Sequence, residues 1–402
     1  MKILFLSLSS AASSLKNRGI YPDLLRTFAL KGHDIYIVSP AERRTHTKTN
    51  LTGNENVHLL KVWTPNITKA NFLEKGIGTL IIGYLYRRAI RKHLKNITFD
   101  LILYSTPPIT LTDTIRKVKK QSKTTTYLLL KDIFPQNAVD LKILSKQNPL
   151  YHYFRYKEKQ LYAISDYIGC MSPKNKSYLI QHNPTLNPEK IEICPNAIEP
   201  MPIPTDWDKN TIRATHNIPT NALVVISGGN LGKPQGINFL LKILQHYLNR
   251  LDVFFIVCGN GTEAIKVKQF FEKHSPINAL FFDFLPREKY DRLVFASDIG
   301  LILLNPDFTI PNFPSRLLNY LELKKPVLLA TDRATDMGEI ASANHFGLWS
   351  VSGDLDGFCQ NLDELNRNRE KIAWMGENGY RFLLENYTTE HIYKIITSHF
   401  NI

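Results

Sequence analysis

The sequence predicts an α/β protein built from two doubly wound, Rossmann-like domains. Three observations carry that reading. Short apolar runs of strand length alternate with helical patterns along residues 1–200 and again from residue 223 onward. Pro195, Pro200, Pro202 and Pro204 fall within ten residues and interrupt the alternation as an extended linker would. At 402 residues the chain is also too long for one compact core.

Met1 to Leu8 reads as a first buried strand; the competing reading is a signal peptide, with one lysine and an apolar run. The adjoining pattern favours the strand. Tyr21 to Lys31 is a helix pattern, Gly32-His33-Asp34 a turn, and Ile35 to Val38 a second strand. Leu101–Tyr104, Tyr127–Leu130, Tyr167–Met171 and Ile191–Ile193 continue the first domain as short buried strands. After the proline-rich linker the strands are Leu223–Ser227, Val253–Val257, Leu280–Phe282, Ile299–Leu304 and Val327–Ala330. Helical patterns at Glu370–Glu385 and Glu390–His399 close the chain. These patterns divide it into residues 1–200, 201–385, and a tail, 386–402, expected to pack back on the first domain. Two domains of one class imply a cleft, a usual place for a small-molecule site.

The net charge of +14 calls for an anionic partner: nucleic acid, an acidic membrane surface or phosphorylated small molecules. Cys170, Cys194, Cys258 and Cys359 are far apart, form no metal spacing and read as buried thiols of a reducing compartment. No apolar run reaches transmembrane length. The segment Lys69 to Lys95 holds seven lysines and arginines against Glu74, interleaved with Phe72, Leu73, Ile77, Leu80, Tyr84 and Tyr86. It reads either as a basic amphipathic helix for an anionic membrane surface or as a core helix with a solvated face. The aromatic cluster Tyr151, Tyr153, Phe154 and Tyr156 is expected in the core. Asp354-Leu355-Asp356 and Asp206-Trp207-Asp208 resemble metal-binding Asp-x-Asp pairs but read better as turns, and no histidine pair has ligand spacing, so no metal site is expected.

Three turns in the second domain carry chemistry. Gly228-Gly229-Asn230-Leu231-Gly232-Lys233-Pro234-Gln235-Gly236 follows a strand, and its glycines allow backbone to approach a phosphate, with Lys233 adding charge. It is not a Walker A motif, since no Gly-Lys-Ser/Thr ends it. Gly259-Asn260-Gly261 ends the next strand. Pro314-Ser315-Arg316 opens a short helix, where Ser315 could cap free N–H groups and Arg316 could grip an anion; the plain alternative is an ordinary helix start.

In this order, with Ala296-Ser297-Asp298 and Lys325-Pro326-Val327, the motifs of residues 223–385 resemble the donor domain of GT-B fold glycosyltransferases of family 4. The branch it is most similar to holds bacterial enzymes of O-antigen and capsule assembly, fucosamine transferase-like. Ser105-Thr106-Pro107-Pro108, Asp132-Ile133-Phe134-Pro135, Met171-Ser172-Pro173 and Pro195-Asn196-Ala197 extend the resemblance through the first domain. The glutamate pair common in that family is replaced by Pro311 and Asn319, and its glycine-loop Arg and Lys by Asn230 and Gln235. The resemblance implies a nucleotide-sugar donor, a UDP-sugar above all, a polyprenyl-diphosphate-linked saccharide acceptor, retention of anomeric configuration, no cofactor and no metal. It implies that Arg316 and Lys233 face the departing diphosphate, and that Gly229, Asn230, Gly232, Gln235, Gly259, Asn260, Gly261, Pro314 and Ser315 cradle the nucleotide. Asn319 or Glu322 would meet ribose hydroxyls, and Asp132 the acceptor hydroxyl. The expected setting is the cytoplasmic face of the membrane, with acceptor choice made by loops such as Ser9–Gly19 and Arg43–Glu55. Two other readings remain: a nucleotide-sugar 2-epimerase of the same fold, against which the basic amphipathic segment argues, and a basic nucleic-acid binder, for which no RNA or DNA module is present.

Overall fold

The computed structural model describes residues 1–8, 14–67 and 72–401. The chain divides into two compact units, Met1–Glu199 with Thr389–Ile402, and Pro200–Thr388.

The first unit is built on an eight-stranded sheet: β1 (Lys2–Leu6), β2 (Asp34–Glu42), β3 (Asn50–Asn54), β4 (Val57–Thr64), β5 (Leu101–Ser105), β6 (Thr125–Leu130), β7 (Tyr167–Cys170) and β8 (Ile191–Ile193). The order is β3-β4-β2-β1-β5-β6-β7-β8. Every pair is parallel except β3–β4. The apolar runs of β1, β5 and β6 are buried on both faces, as helices on each side of a parallel sheet require. Strand β2 runs four residues past Val38, and the expected loop Arg43–Glu55 contains β3. All five residues of β3 are exposed, so backbone pairing with β4 holds it, not a buried side-chain face. Of the other expected loop, residues 9–13 lie outside the described residues.

The second sheet holds β9 (Leu223–Gly228), β10 (Val253–Cys258), β11 (Ala279–Phe282), β12 (Ile299–Leu303), β13 (Val327–Thr331) and β14 (Gly347–Val351). Its order is β11-β10-β9-β12-β13-β14, all parallel. The order reverses between β9 and β12, and in the first sheet between β1 and β5. Such reversals open a crevice at the carboxyl ends of the strands, where ligands bind in open α/β sheets. The core of the second unit joins Val225, Leu240, Phe255, Leu301, Leu328 and Phe358. Asp354 is not a simple turn residue: its Oδ1 accepts the Gly357 N–H at 2.9 Å and caps the helix Leu355–Arg367. Asp208 likewise caps the helix Lys209–Thr215 through the Thr211 N–H at 2.7 Å.

The helix Thr389–Thr397 belongs to the first unit and packs on the helix Ile20–Leu30. Thr27 donates to Thr389 at 2.7 Å, Lys31 pairs with Glu390 at 3.0 Å, and Ile392 and Ile396 enter the core beside Phe28. The helix Phe72–His93 buries Ile82, Tyr86, Ala89 and Ile90, one face at i, i+4, i+7 and i+8 spacing. Its opposite face leaves Leu80 49% and Tyr84 54% exposed beside Arg88, Arg91 and Lys92. Lys69 and the side chains of Phe72, Leu73, Lys75 and Ile77 lie outside the described residues. The aromatic cluster departs from expectation: Tyr153 and Tyr156 are exposed, while Phe154 packs edge-on against Phe134. The helix Pro149–Ile164 turns only part of its aromatic stripe inward. Among the described residues, no helix is long and apolar enough to cross a membrane.

Candidate functional site

At the end of β9 the backbone leaves the sheet through Gly229, whose φ of +115° suits glycine. The Gly229 N–H donates to the Cys258 carbonyl at 2.9 Å, and the Leu231 N–H to the Asn260 carbonyl at 2.8 Å. The two glycine turns are therefore one backbone-to-backbone assembly. A Cβ on Gly259 would fall far inside contact with the Gly229 carbonyl oxygen, and one on Gly261 would stand 2.6 Å from Asn230 Oδ1 and from the Leu231 carbonyl oxygen. Lys233–Gln235 forms one 3-10 turn, held by the Asn305 N–H on the Pro234 carbonyl at 3.0 Å, and Gly236 starts the helix Ile237–His246. Gly229, Asn230, Gly232, Gln235, Gly259, Asn260 and Gly261 thus lie together at the carboxyl edge, next to the β9–β12 reversal.

Arg316 opens the helix Arg316–Glu322 and reaches the same loop. Its Nη2 donates to Gln235 Oε1. A Cβ on Gly229 would stand 3.5 Å from Arg316 Nη2, so the guanidinium lies over the glycine turn. Two tyrosines sit beneath it. Tyr320 donates to the carbonyls of Ile226 and Leu301, at 3.2 and 3.4 Å, and the Tyr290 ring packs on Gly228. Burial raises both phenols above their ordinary range, with the Arg316 charge opposing it. They are neutral supports for the guanidinium. The sequence reading missed both; Tyr290 stands four residues after Pro286, in the first turn of the helix Arg287–Ala296.

The other predicted residues divide. Lys233 is exposed, and its ammonium has no partner among the described residues. Pro314 and Ser315 precede the helix, but the Ser315 side chain makes no capping bond, because Ser315 is already in the helical region at φ −66°, ψ −14°. Asn319 Nδ2 donates to Asp291 Oδ1 at 3.0 Å, and Asp291 is held by Arg287 Nε at 2.7 Å. Asn319 Oδ1 is buried with no hydrogen-bond partner. Glu322 departs from its expected place at a ribose: it is 2% exposed, and its Oε1 accepts the Met201 N–H at 2.9 Å. Its position two turns along the helix turns it to the proline-rich segment, away from the glycine loops. Asp132 lies in the first unit, just past β6. Its N–H donates to Thr106 Oγ1 at 3.1 Å, and Asn137 donates to its Oδ2 at 2.7 Å. Burial pushes its carboxyl up to about 6 despite the Asn137 bond. All four cysteines are buried and free. Among the described residues no three His, Cys, Asp or Glu side chains are grouped to hold a metal ion.

Glycine backbone, a supported guanidinium and a free ammonium at one sheet edge can hold an anion of diphosphate size. Residues 208–382 match the family model for glycosyl transferases group 1. The chain is 22% identical over 306 residues, 75% of its length and 74% of the relative's, to a Pseudomonas aeruginosa protein named as probable glycosyltransferase WbjE. Over 138 residues, 34% of its length and 33% of the relative's, it is also 22% identical to WcaI of Escherichia coli K12, named as a candidate colanic acid biosynthesis glycosyl transferase. Among solved structures it is similar to Anabaena HepE in complex with UDP-glucose, at a TM-score of 0.71 and 14% identity over 99% of each chain.

Proposed function

We propose that this chain, a glycosyltransferase with the GT-B fold whose second unit carries a glycosyl transferases group 1 domain, moves a sugar from a UDP-sugar to a polyprenyl-diphosphate-linked saccharide. The transfer retains anomeric configuration and serves surface polysaccharide assembly of the O-antigen or capsule type, in the fucosamine transferase-like branch. The observation that carries the donor assignment is the Arg316 guanidinium lying over the Gly229 turn beside Gln235. The UDP-glucose of HepE and the polysaccharide pathway in the WcaI name support the donor and the setting.

In this reading the nucleotide lies along Gly229–Gly232 and Gly259–Gly261, and the missing side chain of Gly229 lets the diphosphate reach the backbone beside Arg316. As the bond from sugar C1 to the diphosphate oxygen breaks, negative charge grows on the leaving group. Arg316 and Lys233 stabilise it, and Asn319, with its unused carbonyl, faces donor hydroxyls. Asp132 in the first unit orients the acceptor hydroxyl. The exposed face of the helix Phe72–His93 rests on anionic lipid, presenting the enzyme to a membrane-borne acceptor.

Replacing Arg316 with alanine tests the assignment. Removing one donor aimed at developing charge costs about 10²–10³ in turnover. We expect that loss in UDP-sugar turnover, with thermal unfolding near that of the parent protein. Near-normal turnover would take Arg316 out of the site. Lys233→Ala is expected to weaken nucleotide binding by less, and a larger loss there would reverse the order of the two charges.

A further inference from the structure

The second unit has another concave, charged site, on the opposite edge of its sheet. The helix Lys209–Thr215, Thr220 ahead of β9, Asp298 ahead of β12, the Lys324–Lys325 turn ahead of β13 and the helix Arg369–Asn386 line a cavity of 800 Å³. Each of these strand contributions lies at an amino end. The glycine loops leave from the carboxyl ends, so a strand length of roughly 17–20 Å separates the two edges.

Six cations line the cavity, Lys209, Arg213, Lys324, Lys325, Arg369 and Arg381, against two carboxylates, Asp298 and Glu377. Both carboxylates are already engaged. Asp298 takes Lys209 at 2.6 Å, Arg213 at 2.8 Å, Arg369 at 3.7 Å and the Val224 N–H at 2.8 Å. Glu377 takes Lys324 at 2.8 Å. Lys325 and Arg381 have no carboxylate partner among the described residues. The Lys325 ammonium stands 5.3 Å from the centre of the Phe295 ring. Burial, with Lys209 and Arg213 nearby, brings it down to about 8 against the pull of Asp298. An uncompensated cation in a half-buried place is costly unless something neutralises it. Trp374, 51% exposed, stands at the lining as an aromatic surface.

We propose that this cavity is a second anion site, for a small multivalent phosphate compound, distinct from the donor site. The cavity is of small-ligand size, and its charges converge on one concavity, which favours a compact anion over a nucleic acid, whose backbone needs a stripe of charge. Lys324 and Lys325 follow the helix Arg316–Glu322 after its C-cap Leu323. A ligand held there grips the far end of the element that carries Arg316, and coupling between the two ends would be reciprocal.

Titration of the full chain with inorganic pyrophosphate, followed by calorimetry and by Trp374 fluorescence against a Trp374→Phe control, tests the site. Expected are two binding events, one at each site: the event at this cavity weakens at least tenfold in the Lys325→Met, Arg381→Ala double variant and stays within twofold in Arg316→Ala, which weakens the event at the glycine loops. The double variant removes uncompensated charge, so its thermal unfolding temperature should hold or rise, which separates lost binding from lost fold. No pyrophosphate binding at this cavity, binding indifferent to the double variant, or loss of both events in Arg316→Ala would each overturn the proposal.

Discussion

Asp132 shows how one residue's surroundings set its chemistry. Its carboxyl is pushed up to about 6 by burial, although Asn137 and the local backbone favour the ionised form. An unfolded aspartate titrates near 3.9. Between about pH 4 and pH 6 the folded protein therefore holds the proton that the unfolded chain has lost, and stability falls as pH rises through that window. Asp132→Asn should remove this dependence. Above pH 7 the variant is expected to be more stable by at most about 3 kcal/mol, the equivalent of two pKa units, and equal to the parent near pH 4, as read by urea unfolding at the two pH values. If Asp132 also orients the acceptor, the same variant loses transfer while gaining stability, a split that a merely structural residue would not give. Glu322 shows the converse: an acidic residue itself expected at a ribose proves to hold the Met201 N–H. Neither environment could be read from the residue type, because each depends on which neighbour the fold brings to the carboxylate.

At the scale of elements, the paired glycine turns form a single structure. Gly259 sits at φ +146° with the Gly229 carbonyl where a Cβ would go. Gly259→Ala should part the two loops. A non-glycine residue held in so sparsely populated a region costs on the order of 1–3 kcal/mol, and the steric overlap adds to it. We expect a lowered unfolding temperature and weakened UDP binding by calorimetry; unchanged binding would mean that the loops do not act together. The helix Phe72–His93 makes a separate prediction. Leu80 and Tyr84 stand exposed in line with Arg88, Arg91 and Lys92, while Ile82 and Tyr86 are buried. Replacing Leu80 and Tyr84 by serine should weaken sedimentation with vesicles containing anionic lipid while leaving the fold intact. Binding that survives both substitutions, or binding insensitive to salt, would place the membrane contact elsewhere. The alternation of apolar runs located nearly every central strand. It missed β3 and β14, edge strands that need no continuous apolar run, and β4, an inner strand whose Val57–Thr64 mixes polar and apolar residues and is only partly buried; it missed the two aspartate caps because a cap and a turn use the same residue types.

At the scale of the molecule, the chain completes its first unit last. After the second unit, Thr389–Thr397 returns, with Ile392 and Ile396 buried among Phe28, Ile35 and Leu25. Truncating a buried isoleucine to alanine costs about 2–5 kcal/mol. Ile392→Ala is thus expected to lower the stability of the first unit and leave nucleotide binding to the second almost unchanged. Calorimetric unfolding with and without UDP reads the two effects separately. A destabilised second unit would show that the tail is shared between them.

By itself the sequence determined the parallel α/β class, the proline-marked division, the glycine turns and Pro314-Ser315-Arg316. These rest on short-range rules, namely strand-length apolar runs, backbone that only glycine allows, and proline's fixed φ. Only the tertiary structure decided that Arg316 meets Gln235 across 81 residues of chain, that Tyr290 and Tyr320 support it, that Glu322 turns away, and that six cations gather at the opposite edge. Those outcomes depend on strand order. The β11-β10-β9-β12-β13-β14 arrangement puts residues distant in sequence at one end of neighbouring strands, and no local pattern encodes which strand lies beside which.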